Sequence, residues 1–168
     1  MRVAVCPGSF DPMTLGHLDI IVRASAMFDQ VIAAVSRNPI KNPLFSIEER
    51  VEMLSTVLAP YKNVTVDSFH GLTVYYAAEQ NAAAIVRGLR VVSDFEEEFR
   101  MALINKSLDN CVDTIFLMTS AENSFISSSA VKDVAYFHGP LERLVPPLVA
   151  RRLEEKLKYG HDFCKEEN

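Results

Sequence analysis

The sequence contains no uninterrupted apolar run near the roughly 20 residues that a membrane-spanning helix requires. Cysteine is scarce as well: Cys6, Cys111 and Cys164 are scattered, odd in number and without a CxxC spacing. Such a set supports neither a disulfide framework nor a zinc site, and it suits a reducing compartment, the cytoplasm. No excess of positive charge is present. The formal net charge of −5 offers no general attraction to nucleic acid or to an anionic membrane, so neither is expected as a partner. Met1 is followed at once by a short strand-like run, without a basic segment and a long apolar one, so no signal peptide is expected. Repeats, linkers and low-complexity tracts are missing. So are a GxGxxG turn, a GxxxxGK[ST] loop, a Ser/His/Asp elbow and a Cys/His pair. His70, His138 and His161 have no metal-ligand spacing and read as surface residues, and no metal-ligating residue is expected. Any phosphate-bearing ligand must therefore be held by a few local cations.

What the 168 residues do contain is short β-branched runs alternating with helical patterns. Strands are predicted at residues 2–6, 31–35, 64–66, 84–86 and 114–118. Helices are predicted at residues 18–28, 73–80, 93–108, 128–137 and 146–158. A further helix starts at Ser46, where Glu49 three residues on completes a capping box ahead of Val51, Leu54 and Leu58. This alternation predicts an α/β fold: one doubly wound, Rossmann-like domain with a five-stranded parallel sheet covered on both faces. The domain is expected to span residues 1–158, with 159–168 as a polar, frayed tail.

In such sheets ligands bind beyond the carboxyl ends of the strands, near the switch in strand order. Four unusual segments follow predicted strands: PGSFDPMTLGH, SRNPIKNPLF, RGLR and TSAENSFISSS. PGSFDPMTLGH is richer than a connection requires. Gly8 permits close backbone approach, Ser9 offers a hydroxyl and an N–H, Thr14 can cap a helix, and His17 sits in a first helical turn suited to anions. Lys41 lies between Pro39 and Pro43, which restrict the backbone around it; a solvated lysine is the plain alternative. Arg87 and Arg90 bracket Gly88-Leu89, and arginine forks suit phosphate oxygens, although a strand-end arginine is often a structural ion pair. In DFEEEFR, Glu96 and Glu97 read as a solvated face. Glu98 lies near the stripe Phe95, Phe99, Ala102 and Leu103, where it needs a partner, either Arg90 or a ligand hydroxyl. Three serines, Ser127 to Ser129, open a helix and offer hydroxyls and N–H groups to a polyphosphate, beyond the one needed as a cap.

Taken together, these residues resemble the nucleotidyltransferase superfamily with a [HT]xGH motif, here Thr14-Leu15-Gly16-His17. Within it, PGSFDPMTLGH, RGLR followed by DFE, and SFISSS are similar to the bacterial phosphopantetheine adenylyltransferases, over residues from the first strand to about 158. The resemblance implies a transferase of coenzyme A biosynthesis: ATP and 4′-phosphopantetheine give dephospho-CoA and pyrophosphate, with Mg²⁺. It implies a cytoplasmic homohexamer, a dimer of trimers. It further implies catalytic roles for His17, Lys41, Arg87 and Arg90, and ATP contacts from Ser9, Phe10, His17, Gly88, Leu89, Arg90 and Glu98. The segment Asn123, Ser124, Phe125, Ile126, Ser127, Ser128 and Ser129 would also contact ATP. Ser9, Lys41, Thr73 and Arg87 would contact phosphopantetheine. Position 73 is often aliphatic in that family, so Thr73 is a departure.

Nicotinate- or nicotinamide-mononucleotide adenylyltransferases usually carry HxGH and lack RGLR with DFE. Length and acidity disfavour an aminoacyl-tRNA synthetase. Retention of His17, Lys41, Arg87 and Arg90 argues against a non-catalytic nucleotide sensor. The helix DFEEEFRMALINKSL has more apolar positions than one face needs, as a subunit contact would, unless all of them pack within the monomer.

Overall fold

Alternation along the first strand divides its side chains between two cores. Val3 and Val5 enter one, Ala4 and Cys6 the other, as the period of two in a strand demands. In the computed structural model, which describes residues 1–37 and 42–161, five strands form one parallel sheet. They are β1 (Val3–Gly8), β2 (Gln30–Arg37), β3 (Val64–His70), β4 (Ala82–Leu89) and β5 (Asp113–Met118), in the order β3-β2-β1-β4-β5. The helices are α1 (Leu15–Ser25), α2 (Ile47–Leu58), α3 (Thr73–Glu79), α4 (Val92–Leu108), α5 (Ser128–Tyr136) and α6 (Pro147–His161).

Right-handed crossovers explain the layers. From β1 the chain steps outward through β2 to β3, which puts α1 and α2 on one face; α5 and α6 join them there. It then returns past β1 to β4 and β5, which puts α3 and α4 on the other. The direction of stepping reverses at β1, which pairs with both β2 and β4. The loops leaving β1 and β4 therefore open side by side, the crevice expected of this topology.

Several boundaries differ from the sequence expectation. Helix α1 starts at Leu15, because Thr14 caps it, and not at 18. Strand β4 continues to Leu89, since Arg87, Gly88 and Leu89 pair with Phe116, Leu117 and Met118 of β5. Three residues of RGLR thus belong to the strand. Ser46 and Glu49 do form a capping box at α2.

Helix α4 leaves apolar positions uncovered within the chain, as its surplus of them suggested. None of its 17 residues is buried, so the stripe of Phe95, Phe99, Ala102 and Leu103 does not enter a core of this chain. Phe95 meets Phe116 of β5 edge to face at 5.9 Å. Val92, Phe99, Met101, Leu103, Ile104 and Leu108 remain exposed. Helix α4 covers β4 and β5 on this face and leaves its own outer side open. Periodicity locates an apolar face; it does not say that the covering surface belongs to the same chain.

Candidate active site

The loop between β1 and α1 is held from several sides, which accounts for its unusual composition. Carbonyls of the loop and of the end of β1 accept from three side chains on distant elements: Arg87 Nη1 at 2.6 Å from Pro7 O, Arg50 Nη1 at 2.7 Å from Ser9 O, and Ser128 Oγ at 2.9 Å from Pro12 O. Asp11, buried, accepts the N–H groups of Leu44 (3.0 Å) and Phe45 (2.9 Å) and pairs with Lys132 Nζ at 3.0 Å. Phe10 adopts φ 47°, a left-handed conformation uncommon outside glycine. Its ring closes over Gly8, where an added Cβ would lie 3.0 Å from Phe10 Cζ. The same ring meets His17 edge to face at 5.1 Å.

His17 is the third residue of α1 and completes a capping box with Thr14. Thr14 Oγ1 accepts from the His17 N–H at 3.3 Å, and the Thr14 N–H donates to His17 Nδ1 at 3.0 Å. A backbone N–H can only donate, so Nδ1 is the acceptor and the ring proton resides on Nε2. Burial, followed by the charges of Arg87 and Arg90, lowers the His17 pKa from 6.5 to about 4. At neutral pH the site thus presents an uncharged imidazole with a fixed Nε2–H donor, at a helix N-terminus.

The two arginines stand at the end of β4, Arg87 within the strand and Arg90 directly after it. Arg87 forms a two-pronged ion pair with Glu98 of α4, Nε to Oε2 at 2.7 Å and Nη2 to Oε1. Glu98 is therefore the partner of Arg87; the expected pairing with Arg90 is not observed. Arg90 instead binds Asp94 through Nε and Nη2, at 3.0 and 3.1 Å, and donates to Ile126 O at 3.2 Å. Burial alone would raise the Asp94 pKa; the bonds from Arg90 outweigh it and hold the carboxyl below its ordinary value. One turn of α4 thus orients both guanidiniums. Gly88 between them lets α1 approach β4, because a Cβ there would lie 2.7 Å from Ile20 Cγ1.

These groups border an open cavity of about 420 Å³ at the switch point. Of the residues selected from sequence, Ser9, Phe10, His17, Arg87, Gly88, Arg90, Glu98, Ile126, Ser127, Ser128 and Ser129 line it. Ser127 caps α5 by accepting from the Ala130 N–H at 3.1 Å. Leu89 is buried away from the lining. Asn123 and Ser124 belong to the turn before α5, bonded to Ser120 Oγ and Ala121 O, and Phe125 is exposed; none of the three borders the cavity. Thr73 opens α3, also outside the lining. Lys41 and Cys164 lie outside the described residues.

Sequence reasoning did not select Asp11, Arg50, Lys132, Asp94 or Thr119. Arg50 had a signal: it lies three residues after Ile47 and four before Leu54, on the core-facing stripe of α2. Among the described residues no three His, Cys, Asp or Glu side chains cluster as a metal cage. Nor is any described helix long and apolar enough to cross a membrane.

A parallel sheet with an arginine-bearing crevice at its switch point is the architecture of the α/β nucleotidyltransferases. Residues 5–134 match the cytidylyltransferase-like family. A solved Vibrio parahaemolyticus structure described as a nicotinate-nucleotide adenylyltransferase superposes with a TM-score of 0.68, over 91% of this chain and 99% of that one. At 18% identity that likeness concerns the fold. The phosphopantetheine adenylyltransferase of Carboxydothermus hydrogenoformans is 59% identical over 94% of this chain and 98% of its own. That of Desulforamulus reducens is 56% identical over 95% and 99%. The chain belongs to the phosphopantetheine adenylyltransferase family.

Proposed function

We propose that this chain transfers the adenylyl group of ATP to 4′-phosphopantetheine, giving dephospho-CoA and pyrophosphate in coenzyme A biosynthesis. The observation that carries the mechanism is the convergence of the His17 Nε2–H, Arg87 and Arg90 on one cavity at the switch point. A phosphate monoester is largely dianionic near neutral pH, so the nucleophile needs no general base. Its oxygen attacks the α-phosphorus in line, the bond to the β-phosphate bridging oxygen breaks, and pyrophosphate departs with that electron pair. No proton changes hands. What remains is to bring two anions together and to stabilise charge on the α-phosphoryl oxygens.

His17 donates its Nε2–H to an α-phosphate oxygen. Being neutral, it does so without adding a third charge beside the two arginines. Arg87 and Lys41 hold the phosphate of phosphopantetheine, with Ser9 touching both substrates and Thr73 beside the pantetheine arm. Arg90, Glu98, Gly88 and residues 126–129, which border the cavity, hold ATP; Leu89 and residues 123–125, which the resemblance also implies, stand behind that lining. Because Arg87 and Arg90 are already oriented by Glu98 and Asp94, each phosphate meets a guanidinium whose rotamers are restricted. Mg²⁺ would enter with the triphosphate as part of the substrate: of the cavity carboxylates Asp94, Glu97 and Glu98, the first and last are engaged by arginines, and among the described residues no three such side chains form a cage.

The exposed apolar face of α4 supports a contact in which a neighbouring subunit covers Phe99, Met101, Leu103 and Ile104, and the family resemblance implies that such contacts build a homohexamer, a dimer of trimers. The cysteine pattern and the small-molecule substrates fit a cytoplasmic enzyme. One experiment tests the reading: ATP is offered with 4′-phosphopantetheine or nicotinate mononucleotide, and the adenylated product is identified. Dephospho-CoA with release of pyrophosphate is expected. Adenylation of the mononucleotide alone, or no product, contradicts the proposal.

A further inference from the structure

The loop between β1 and α1 carries one buried charge, Asp11, and rests on another, Arg50 of α2, and the transfer chemistry uses neither. Arg50 is 4% exposed and Asp11 is 5% exposed. Desolvating such groups is costly, and apolar residues of similar volume would fill the space at least as stably. Their bonds show what they do instead. Arg50 donates to Ser9 O at 2.7 Å and, through Nε, to Ser46 O at 3.2 Å, joining the loop to the start of α2. Asp11 joins the same loop to the backbone of Leu44 and Phe45 and to Lys132 of α5.

The peptide between Ser9 and Phe10 is trans, so a Ser9 C=O directed at Arg50 turns the Phe10 N–H the opposite way. Both residues border the cavity. Phe10 also holds a left-handed φ of 47°, a strained conformation that persists only where its surroundings enforce it. Its ring rests on His17.

We propose that Arg50 and Asp11 are positioning residues of the adenylyl transfer, a buried clamp anchored on α2 and α5 that fixes the Ser9–Phe10 peptide and holds Phe10 against His17. Neither touches substrate; both act through the loop. The proposal rests on the site reading given above, and its test separates the two.

Arg50→Lys keeps the charge but loses the fork that spans two carbonyls. Asp11→Asn keeps the shape but loses the charge that pairs with Lys132. In the full-length protein, two quantities are measured: the KM for ATP, and the titration of the His17 imidazole followed by NMR. The charges of Arg87 and Arg90 act on His17, and Cys6 of β1 and Asp94, Glu97 and Glu98 of α4 share its cavity; all are unchanged in either variant. The ATP KM is expected to rise by on the order of tenfold, the worth of one charged hydrogen bond. As Phe10 withdraws and water reaches the ring, the His17 midpoint is expected to move up from about 4 towards 6.5. Neither quantity depends on the fraction of molecules folded. Lys132→Met, which removes the counter-charge of Asp11 from a half-buried position, replaces either variant that does not fold, with the same expected results. A wild-type KM together with a wild-type titration overturns the clamp. The titration reads loop geometry whether or not His17 acts on phosphate. A shifted titration alongside a fully active His17→Ala would thus overturn the site reading and leave the clamp standing.

Discussion

His17 is held by its own helix cap, and its behaviour follows from that. Losing one donor to the transition state costs on the order of 100- to 1000-fold in rate, so His17→Ala should lower kcat by that factor while ATP binding changes much less. Single-turnover rates beside ATP titrations check this; near-normal turnover would sink the assignment. The same residue shapes stability. Its folded pKa of about 4 lies below the ordinary 6.5, so between those values the unfolded chain binds the proton and the folded chain does not. Stability due to this group is therefore present above about pH 6.5 and declines as pH falls towards 4, by at most about 1.4 kcal/mol per pH unit. Denaturant melts of His17→Ala should show a shallower slope in that window. For the cations, Lys41→Ala and Arg87→Ala should chiefly raise the KM for phosphopantetheine, and Arg90→Ala that for ATP. Equal losses for both ligands in all three would contradict the division. His17, Arg87 and Arg90 were legible in the sequence because side-chain chemistry is a local property. The pairing of Glu98 with Arg87 was not, because it depends on where α4 lies relative to β4.

At the scale of elements, the α1–β4 contact decides whether His17 and the arginines face one another. Gly88 makes that contact possible. Gly88→Ala would force Ile20 aside, and overpacking of this kind costs about 1–3 kcal/mol. Reduced thermal stability together with lower activity is expected; an unchanged melting midpoint would show that Ile20 yields freely. Gly71 offers a contrast. An added Cβ there meets nothing within 4 Å, yet the φ of 96° is one that only glycine adopts easily, so any loss in Gly71→Ala comes from backbone strain. The existence and order of the elements could be read from alternation and from the caps at Thr14 and Ser46. Their ends could not always be. Nothing local in Arg87-Gly88-Leu89 announces a strand; pairing with Phe116, Leu117 and Met118 extends it.

For the whole molecule, α4 is the exposed element of consequence. Sixteen large apolar side chains of the described residues are exposed, and seven of them belong to this one helix. A monomer in water gains nothing from that arrangement. Light scattering at micromolar concentration should return a mass near six times the 18.8 kDa of the chain. A charge placed in the patch, Leu103→Asp, should lower that mass without abolishing the fold, because Leu103 supports no core of its own chain. A monomeric mass for the wild type would show the assembly proposal to be wrong.

By itself the sequence determined the α/β class, the sequence of strands and helices, and the residue types that stand at the carboxyl ends of the strands. Each of these follows from periodicity, capping or side-chain type over a few neighbouring residues. Only the tertiary structure decided that Arg87 binds Glu98, that Arg50 grips the loop while Asp11 ties it to Leu44, Phe45 and Lys132, and that α4 lies outside the core. Those facts depend on contacts between residues far apart in the chain, such as Arg50 with Ser9 and Arg87 with Pro7. Local pattern records that a residue is charged or apolar; the folded geometry alone determines which surface it meets.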